Sequence, residues 1–289
     1  MRIIIKKENF LHLSVGKVNI DISVFSGDRP KKGERVNAKI IISLGGAACN
    51  YAAFVSYLGH RSALVAKISE DFRDYILSEM TKKGIETKYL IISKGEQSVN
   101  VIFVDEDGER SMYSNPGMAE TLSISDYKNI EDVTVIHFAS VKPSIITKVN
   151  ARLITYDPGP YVDLINEEVI KKVDILYLNK SEFMKVNKII GENKVIIKKG
   201  EEGAEAMIRG ERCIARAPKV NVKDTTGAGD IFDASMNYSL IEGKSVGESL
   251  AFSVALASLK TELPGAQNFP DKNYAIKMIS NGDVKLECK

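Results

Sequence analysis

At 289 residues, the chain is long enough for one large α/β domain, or for a core with a small accessory unit. A hydrophobic share of 44% and a charged share of 27% describe an ordinary globular protein. A net charge of +2 gives no electrostatic reason to expect nucleic acid or an acidic surface as partner.

The N-terminal run MRIIIKKENF is too short in apolar residues for a signal peptide, and no segment is long and apolar enough to cross a bilayer. Cys49, Cys213 and Cys288 are scattered without metal spacing, which suits a reducing cytoplasm and argues against a disulfide framework or a zinc site. His12, His60 and His137 are equally dispersed and read as surface or packing residues rather than ligands.

The first half carries β-rich stretches that do not alternate with helices: NIDISVF (19–25), AKIIISL (38–44), SVNVIFV (98–104) and ERSMYSN (109–115). The last two flank DEDG, a hairpin signal. Together they predict a small antiparallel sheet, inserted from about 19–44 and 98–115 and placed as a lid over a pocket. Between them, Tyr51, Val55 and Leu58 mark a helix that begins just after LGGAACN and stops at Gly59.

From residue 133 the rhythm changes. VTVIHF (133–138), RLITYD (152–157), DILYLN (174–179) and KVIIKK (194–199) alternate with segments such as KSEFMKVNKII that can be helices. That is the pattern of a mostly parallel sheet covered on both faces, a three-layer α/β sandwich within a single domain over 1–289. After KDTTGAGD, Phe232, Met236 and Leu240 predict a helix with Gly243 as its stop. Ser245 and Glu248 have the spacing of a capping box, Leu250, Val254 and Ala257 form the stripe of the next helix, and Pro264 ends it.

The stretch TTGAGD carries the strongest chemical signal. Small residues leading into a helix leave the first backbone N–H groups unpaired and unshielded, which makes a site for a phosphate or a developing phosphoryl charge. Asp230 falls in or beside the first helical turn. Other glycine motifs are excluded. Phe232 stands where a dinucleotide fingerprint needs its third glycine, and Tyr238 stands where a P-loop ending at Gly243-Lys244-Ser245 needs its first.

Four further stretches can serve such a site. Gly45 and Gly46 allow close approach to the backbone, Asn50 offers a donor and an acceptor to a polyol, and Asp21 interrupts an apolar β run with a carboxylate able to bind neighbouring hydroxyls. Asn179 and Glu182 follow a β run and could hold water around magnesium, or simply cap a helix. Gly200 and Gly203 make a tight loop that could admit a nucleotide.

Taken together these pieces resemble the ribokinase family, also called the PfkB carbohydrate-kinase family, over about residues 11–270. DTTGAGD matches its C-terminal signature, GGAACN its N-terminal signature, NKSE its N-x-x-E motif and VIIKKGEEGA its strand-and-loop before the nucleotide site.

The resemblance implies a ribokinase-like fold and an ATP-dependent kinase acting on a hydroxymethyl group of a sugar or sugar-containing compound. It implies Asp230 as base and Gly227, Ala228 and Gly229 as anion hole. Asp21, Gly45, Gly46 and Asn50 fall at sugar-binding positions, Gly200, Gly203 and Thr226 at nucleotide-binding ones, and Asn179 and Glu182 at the magnesium motif. Asp224 and Thr226 lie where one pair of potassium ligands would be.

GKVNIDI, NPGMAETL, YDPG and PGAQNFP are similar to archaeal nucleoside kinases, so a simple sugar and a nucleoside both stand as substrates. The helix N-terminus should depress the pKa of Asp230. Open lid edges suggest a homodimer. A non-catalytic sugar- or nucleotide-sensing protein on the same scaffold is the alternative from another class, though a sensor would not need Asp230. A nicotinamide-dependent dehydrogenase fits the alternation but lacks the fingerprint.

Overall fold

The computed structural model describes residues 10–26, 30–105, 110–190, 194–208 and 210–289. The apolar run before Phe10 and most of DEDG lie outside the described residues. The chain enters along β1 (Leu11–Gly16), leaves through β2 (Asn19–Phe25) and β3 (Lys39–Gly45), and returns by α1 (Ala47–Leu58) to β4 (Arg61–Ser69). After α2 (Arg73–Lys82) and the short strands β5 (Ile85–Glu86) and β6 (Leu90–Ser93), it makes a second excursion through β7 (Val99–Val104) and β8 (Arg110–Asn115). Then come β9 (Val133–Ala139), β10 (Ala151–Asp157), α3 (Glu167–Lys172), β11 (Ile175–Asn179), α4 (Lys180–Val186) and β12 (Lys194–Lys198). The final part is β13 (Ala204–Ile208), β14 (Glu211–Arg216), α5 (Ala228–Ile241), α6 (Val246–Lys260), α7 (Lys272–Ser280) and β15 (Lys285–Cys288).

Among the described residues the main sheet has eleven strands, in the order β15, β14, β13, β12, β11, β10, β9, β1, β4, β5, with β6 also on β4. It is parallel from β12 across to β5 and β6, and antiparallel at its β13–β15 end. Side chains alternate between two cores. On β11, Ile175 and Tyr177 enter the core shared with α1, α5 and α6, while Leu176 and Leu178 enter the opposite one with Val169 and Val186. Both faces are therefore covered, as a parallel sheet requires. The chain builds outward from β1 in one direction through β4 and in the other through β9, and an α/β sheet opens a ligand crevice at such a reversal.

The lid forms as a separate sheet in the order β3, β2, β7, β8. Its outer pairs are antiparallel, but β2 and β7 pair in parallel, which corrects the all-antiparallel expectation. The reason is topological. Each excursion sends its first strand away from the body and brings its second one back, and the two outgoing strands lie side by side.

Other boundaries move for local reasons. Helix α1 starts at Ala47, ahead of the expected point, because Gly46 at φ 94° turns the chain directly into a run of small helix-compatible residues. The crossover from β9 to β10 holds only a 3₁₀ turn, Pro143–Ile145, and no helix. The capping box at Ser245 and Glu248 is present, and α6 ends at Lys260, before Pro264 acts. No helix is long and apolar enough to cross a membrane among the described residues.

The cysteine reading needs correction. Cys213 and Cys288 face each other across β14 and β15 and form a disulfide, leaving Cys49 as the buried free thiol. The pair is 75 residues apart in sequence, and only the strand register brings it together. Closing so long a loop is worth about 2–4 kcal/mol. We expect Cys288→Ser to lower the melting temperature by several degrees in non-reducing buffer. Dithiothreitol should bring the wild type down to the variant's value, and a thermal melt with and without reductant checks this.

Candidate active site

Asp157, Asn179 and Lys198 are the last residues of β10, β11 and β12, so the carboxyl edge of the sheet ends in polar side chains. Helix α5 starts over this edge. Its N-cap, Gly227, takes φ 79°, and a Cβ there would sit 2.7 Å from the Ala266 carbonyl oxygen. Only glycine fits. The amides of Gly227, Gly229 and Asp230 have no acceptor among the described residues, whereas the Ala228 amide donates to the Thr225 carbonyl at 3.2 Å. Ala228 thus brings no open amide to the expected anion hole. Its small side chain lines the adjoining cavity instead.

Asp230 is half-buried in the first turn of α5. Its Oδ2 accepts a hydrogen bond from Asn50 Nδ2 at 2.7 Å, and Asn50 Oδ1 in turn accepts from Gln267 Nε2 at 3.0 Å. Asn50 therefore aims Asp230 directly, in addition to whatever it offers a ligand. Burial raises the Asp230 pKa to about 7, with nearby Asp157 pushing the same way and Asn50 and Lys198 opposing. The expectation of a depressed value is overturned, because desolvation of the carboxylate outweighs the partial charge of the helix end.

A second carboxylate lies on the lid side. Asp21 on β2 accepts from Asn100 on β7 at 2.8 Å, and its Oδ2 packs so closely on Gly45 that a Cβ there would lie 1.8 Å away. At Gly46 a Cβ would meet the Lys17 carbonyl oxygen at 2.5 Å. Gly45 lets the carboxylate approach, and Gly46, the N-cap of α1, lets the backbone turn close against Lys17. Cys49 sits where both Asp21 and Asp230 act on it, and burial above all pushes its thiol up to about 12. It stays protonated and unreactive.

On the other side of α5 lies a cavity of about 910 Å³. Gly200 and Gly203 line it, as expected, with Gly229, Phe232 and Val254. Thr225 lines it rather than Thr226, whose amide is held by Asp224 Oδ1 at 2.8 Å. The walls are largely apolar, with Lys198, Glu201 and Lys219 as their charged residues, as suits a flat base with a charged tail. Gly229 lines this cavity, and Asp230 follows it in the first turn of α5, held by Asn50.

Asn179 and Glu182 form a reciprocal capping box on α4, at 2.7 and 2.8 Å. Glu182 Oε1 keeps its lone pairs, and Asp157 is close enough to help burial raise the Glu182 pKa. Asp224 stitches the turn before α5 to Gly265, whose amide it accepts at 2.6 Å.

Several residues escaped sequence reasoning. Lys198 Nζ bridges Asp157 Oδ2 at 2.6 Å and Asp233 Oδ1 and Oδ2 at 3.1 and 3.2 Å. Behind Asp233, a buried chain of hydrogen bonds crosses the core. His137 Nδ1 meets Thr155 Oγ1, Asn237 Nδ2 donates to Thr155 and to Tyr51 Oη, and Tyr51 meets His12 Nδ1, all within 3.0 Å. His12 then meets His60, and His60 meets Glu242. The histidines are buried and joined through this chain, not dispersed or on the surface. Burial, the largest cause, lowers His137 to about 3 and His12 well below its usual value, so both are neutral. The only sequence signals were polar residues inside apolar β runs.

With this geometry in place, likeness to known proteins can be weighed. Residues 10–273 match the pfkB family carbohydrate kinases. The ribokinase of Arabidopsis thaliana is 27% identical over 92% of this chain and 80% of its own. Its solved structure with ribose and ATP superposes with a TM-score of 0.79 at 26% identity, covering 94% of this chain and 99% of the other. The ribokinase of Thermotoga maritima gives a TM-score of 0.81 at 25% identity, over 94% and 100% of the two chains. A nucleoside kinase from Methanothermobacter thermautotrophicus is 25% identical over 93% of this chain and 95% of its own. The chain belongs to the pfkB family of carbohydrate kinases and is a phosphotransferase with an alcohol group as acceptor.

Proposed function

We propose that this enzyme transfers the γ-phosphoryl group of ATP to a hydroxymethyl group of a sugar or nucleoside. The observation that carries the proposal is the junction at α5. There a half-buried carboxylate held by Asn50 follows unpaired backbone amides, with Gly229 lining a largely apolar cavity and with Asp21 and Asn100 paired on the lid.

The acceptor's hydroxyl oxygen attacks the γ-phosphorus while the bond to the bridging oxygen of ADP breaks. Asp230 takes the hydroxyl proton, and the amides of Gly227 and Gly229 bind the equatorial oxygens as charge spreads over them. Alignment by Asn50 and by the α5 start contributes most, since the protein has little covalent chemistry to do. The carboxamide and carboxylate of Asn100 and Asp21 suit a polyol's mixed donors and acceptors. The solved ribokinase with ribose and ATP supports a simple sugar. The nucleoside kinase relative, similar over nearly the whole of both chains, supports a nucleoside as the second reading.

Magnesium fits the oxygen donors left at Asn179, Glu182 and Asp157, which would hold its waters, and when bound it would neutralise charge on the phosphates. Among the described residues no three His, Cys, Asp or Glu side chains are grouped to ligate a metal directly. Potassium at Asp224 and Thr226 fits less well. The buried Lys260 ammonium donates to the Leu263 carbonyl in the turn that Asp224 anchors, so a positive charge already stands there, and no step is routed through potassium.

A panel of sugars and nucleosides assayed for ADP release tests the proposal, with Asp230→Asn as control. At least one acceptor should support turnover, and the variant should lose it by about 10²–10⁴-fold while ATP binding is retained. No release with any acceptor would favour a sensor. The raised pKa adds a pH test. Because Asp230 must be ionised to accept the proton, kcat/KM for the acceptor should climb with pH up to about 7 and flatten above it. A flat profile between pH 5 and 8 would remove Asp230 from the base's role.

The lid also supports a homodimer. On β3, Ile40 and Ile42 are 59% and 57% exposed and Ile41, pointing the other way, 40%, so both faces of this edge strand are open apolar surface. Sedimentation should give twice the monomer mass, and Ile40→Lys with Ile42→Lys should return it to the monomer.

A further inference from the structure

Lys198 closes β12 with its side chain only 17% exposed, at the edge of the cavity and between two carboxylates. Stability does not explain it, since a buried ion pair seldom outperforms an apolar side chain of the same size. Its hydrogens are informative. An ammonium has three, directed tetrahedrally. One goes to Asp157 Oδ2, and one is shared by the two Asp233 oxygens. The third has no hydrogen-bond acceptor among the described residues, its other neighbour being the Tyr177 ring with its centroid 5.9 Å away.

The neighbouring surface shows what remains within reach. A Cβ built on Gly229 would lie 3.4 Å from Lys198 Nζ, so the ammonium sits beside the residue whose amide is also unpaired. The sheet edge and the helix N-terminus thus aim two donors of different origin at one volume, in the same cavity wall.

The carboxylates divide the charge unequally. Burial drives Asp233 well above the usual carboxylate range, while the Lys198 ammonium draws Asp157 below it despite burial.

Resting on the kinase reading above, we propose that Lys198 is a catalytic residue of phosphoryl transfer. Its third N–H bonds a non-bridging oxygen of the migrating phosphoryl group beside the Gly229 amide, and Asp157 and Asp233 are the positioning residues that hold it there. The glycine loop supplies neutral dipoles to the transition state, and Lys198 adds the full charge they lack.

Lys198→Met tests this, together with the double variant Lys198→Met, Asp157→Asn. The double variant removes one charge of each sign and so leaves the interior neutral where the single variant could misfold. Titration calorimetry with AMP and with ATP separates the base-binding cavity from the phosphate contact. We expect AMP affinity within about threefold of wild type, the preference for ATP over AMP reduced about tenfold, and kcat lowered about 10²-fold, the size of losing one charge-stabilising donor. Lys198→Arg, which keeps the charge, should recover at least part of that loss.

A folded variant that keeps kcat within about threefold of wild type overturns the proposal, as does an AMP affinity that falls in step with ATP affinity. A wild-type protein that phosphorylates no acceptor brings down the kinase reading itself. An active wild type with an equally active double variant brings down only the role of Lys198.

Discussion

Where α5 begins decides the rest of the site. Gly227 can hold a left-handed backbone against the Ala266 carbonyl because it has no side chain to displace it. Of the first amides of the helix only that of Ala228 is taken up by the preceding turn, at Thr225, and those of Gly227, Gly229 and Asp230 are left unpaired among the described residues. Helical spacing does the remainder. Asp230 and Asp233, three residues apart, lie on one face of the first turn. Asp230 meets Asn50 from α1, and Asp233 meets Lys198 from the sheet edge.

Burial sets the chemistry of the charged groups, and their neighbours refine it. The same desolvation raises Asp230, Asp233 and Asp21. What distinguishes them is the partner each is given: an amide for Asp230, an ammonium and a second carboxylate for Asp233, and Asn100 for Asp21. Neutral histidines allow the polar chain behind Asp233 to run in one consistent sense. The Tyr51 hydroxyl accepts from Asn237 and so gives its proton to His12, which donates to His60, which donates to Glu242. Such a satisfied network fixes the rotation of α5 against β10 and β11 more sharply than apolar contact alone would.

The lid and the body follow different rules. In the body, side chains alternate between two dry cores. In the lid, strand β3 is exposed over most of its length, and only its last residues, Leu44 and Gly45, reach the interior. Asp21 is carried on β2 next to that inner end, in register with Ser43 and Asn100. Asp21 thus sits where a thinly packed element joins a rigid one, the kind of place where a ligand can enter before it is enclosed.

What could be read from residues alone was local in origin. Strand periodicity from 133 to 198, the capping box at Ser245, and the small residues ahead of α5 each depend on neighbours within a few positions. Motif spacing carried the identity of Asp230, Gly227 and Gly229 for the same reason. The missed features all join distant segments: Cys213 with Cys288, Asn50 with Asp230, Lys198 with Asp157 and Asp233, and the parallel pairing of β2 with β7. The direction of the Asp230 pKa was also missed, because desolvation depends on how the whole chain closes around a carboxylate. The sequence by itself determined which elements form and which groups carry chemistry, since backbone propensity and hydrogen-bonding type are properties of single residues and their close neighbours. Tertiary structure decided which of those groups meet and what charge each holds there, since distance and dielectric exist only once the layers have packed.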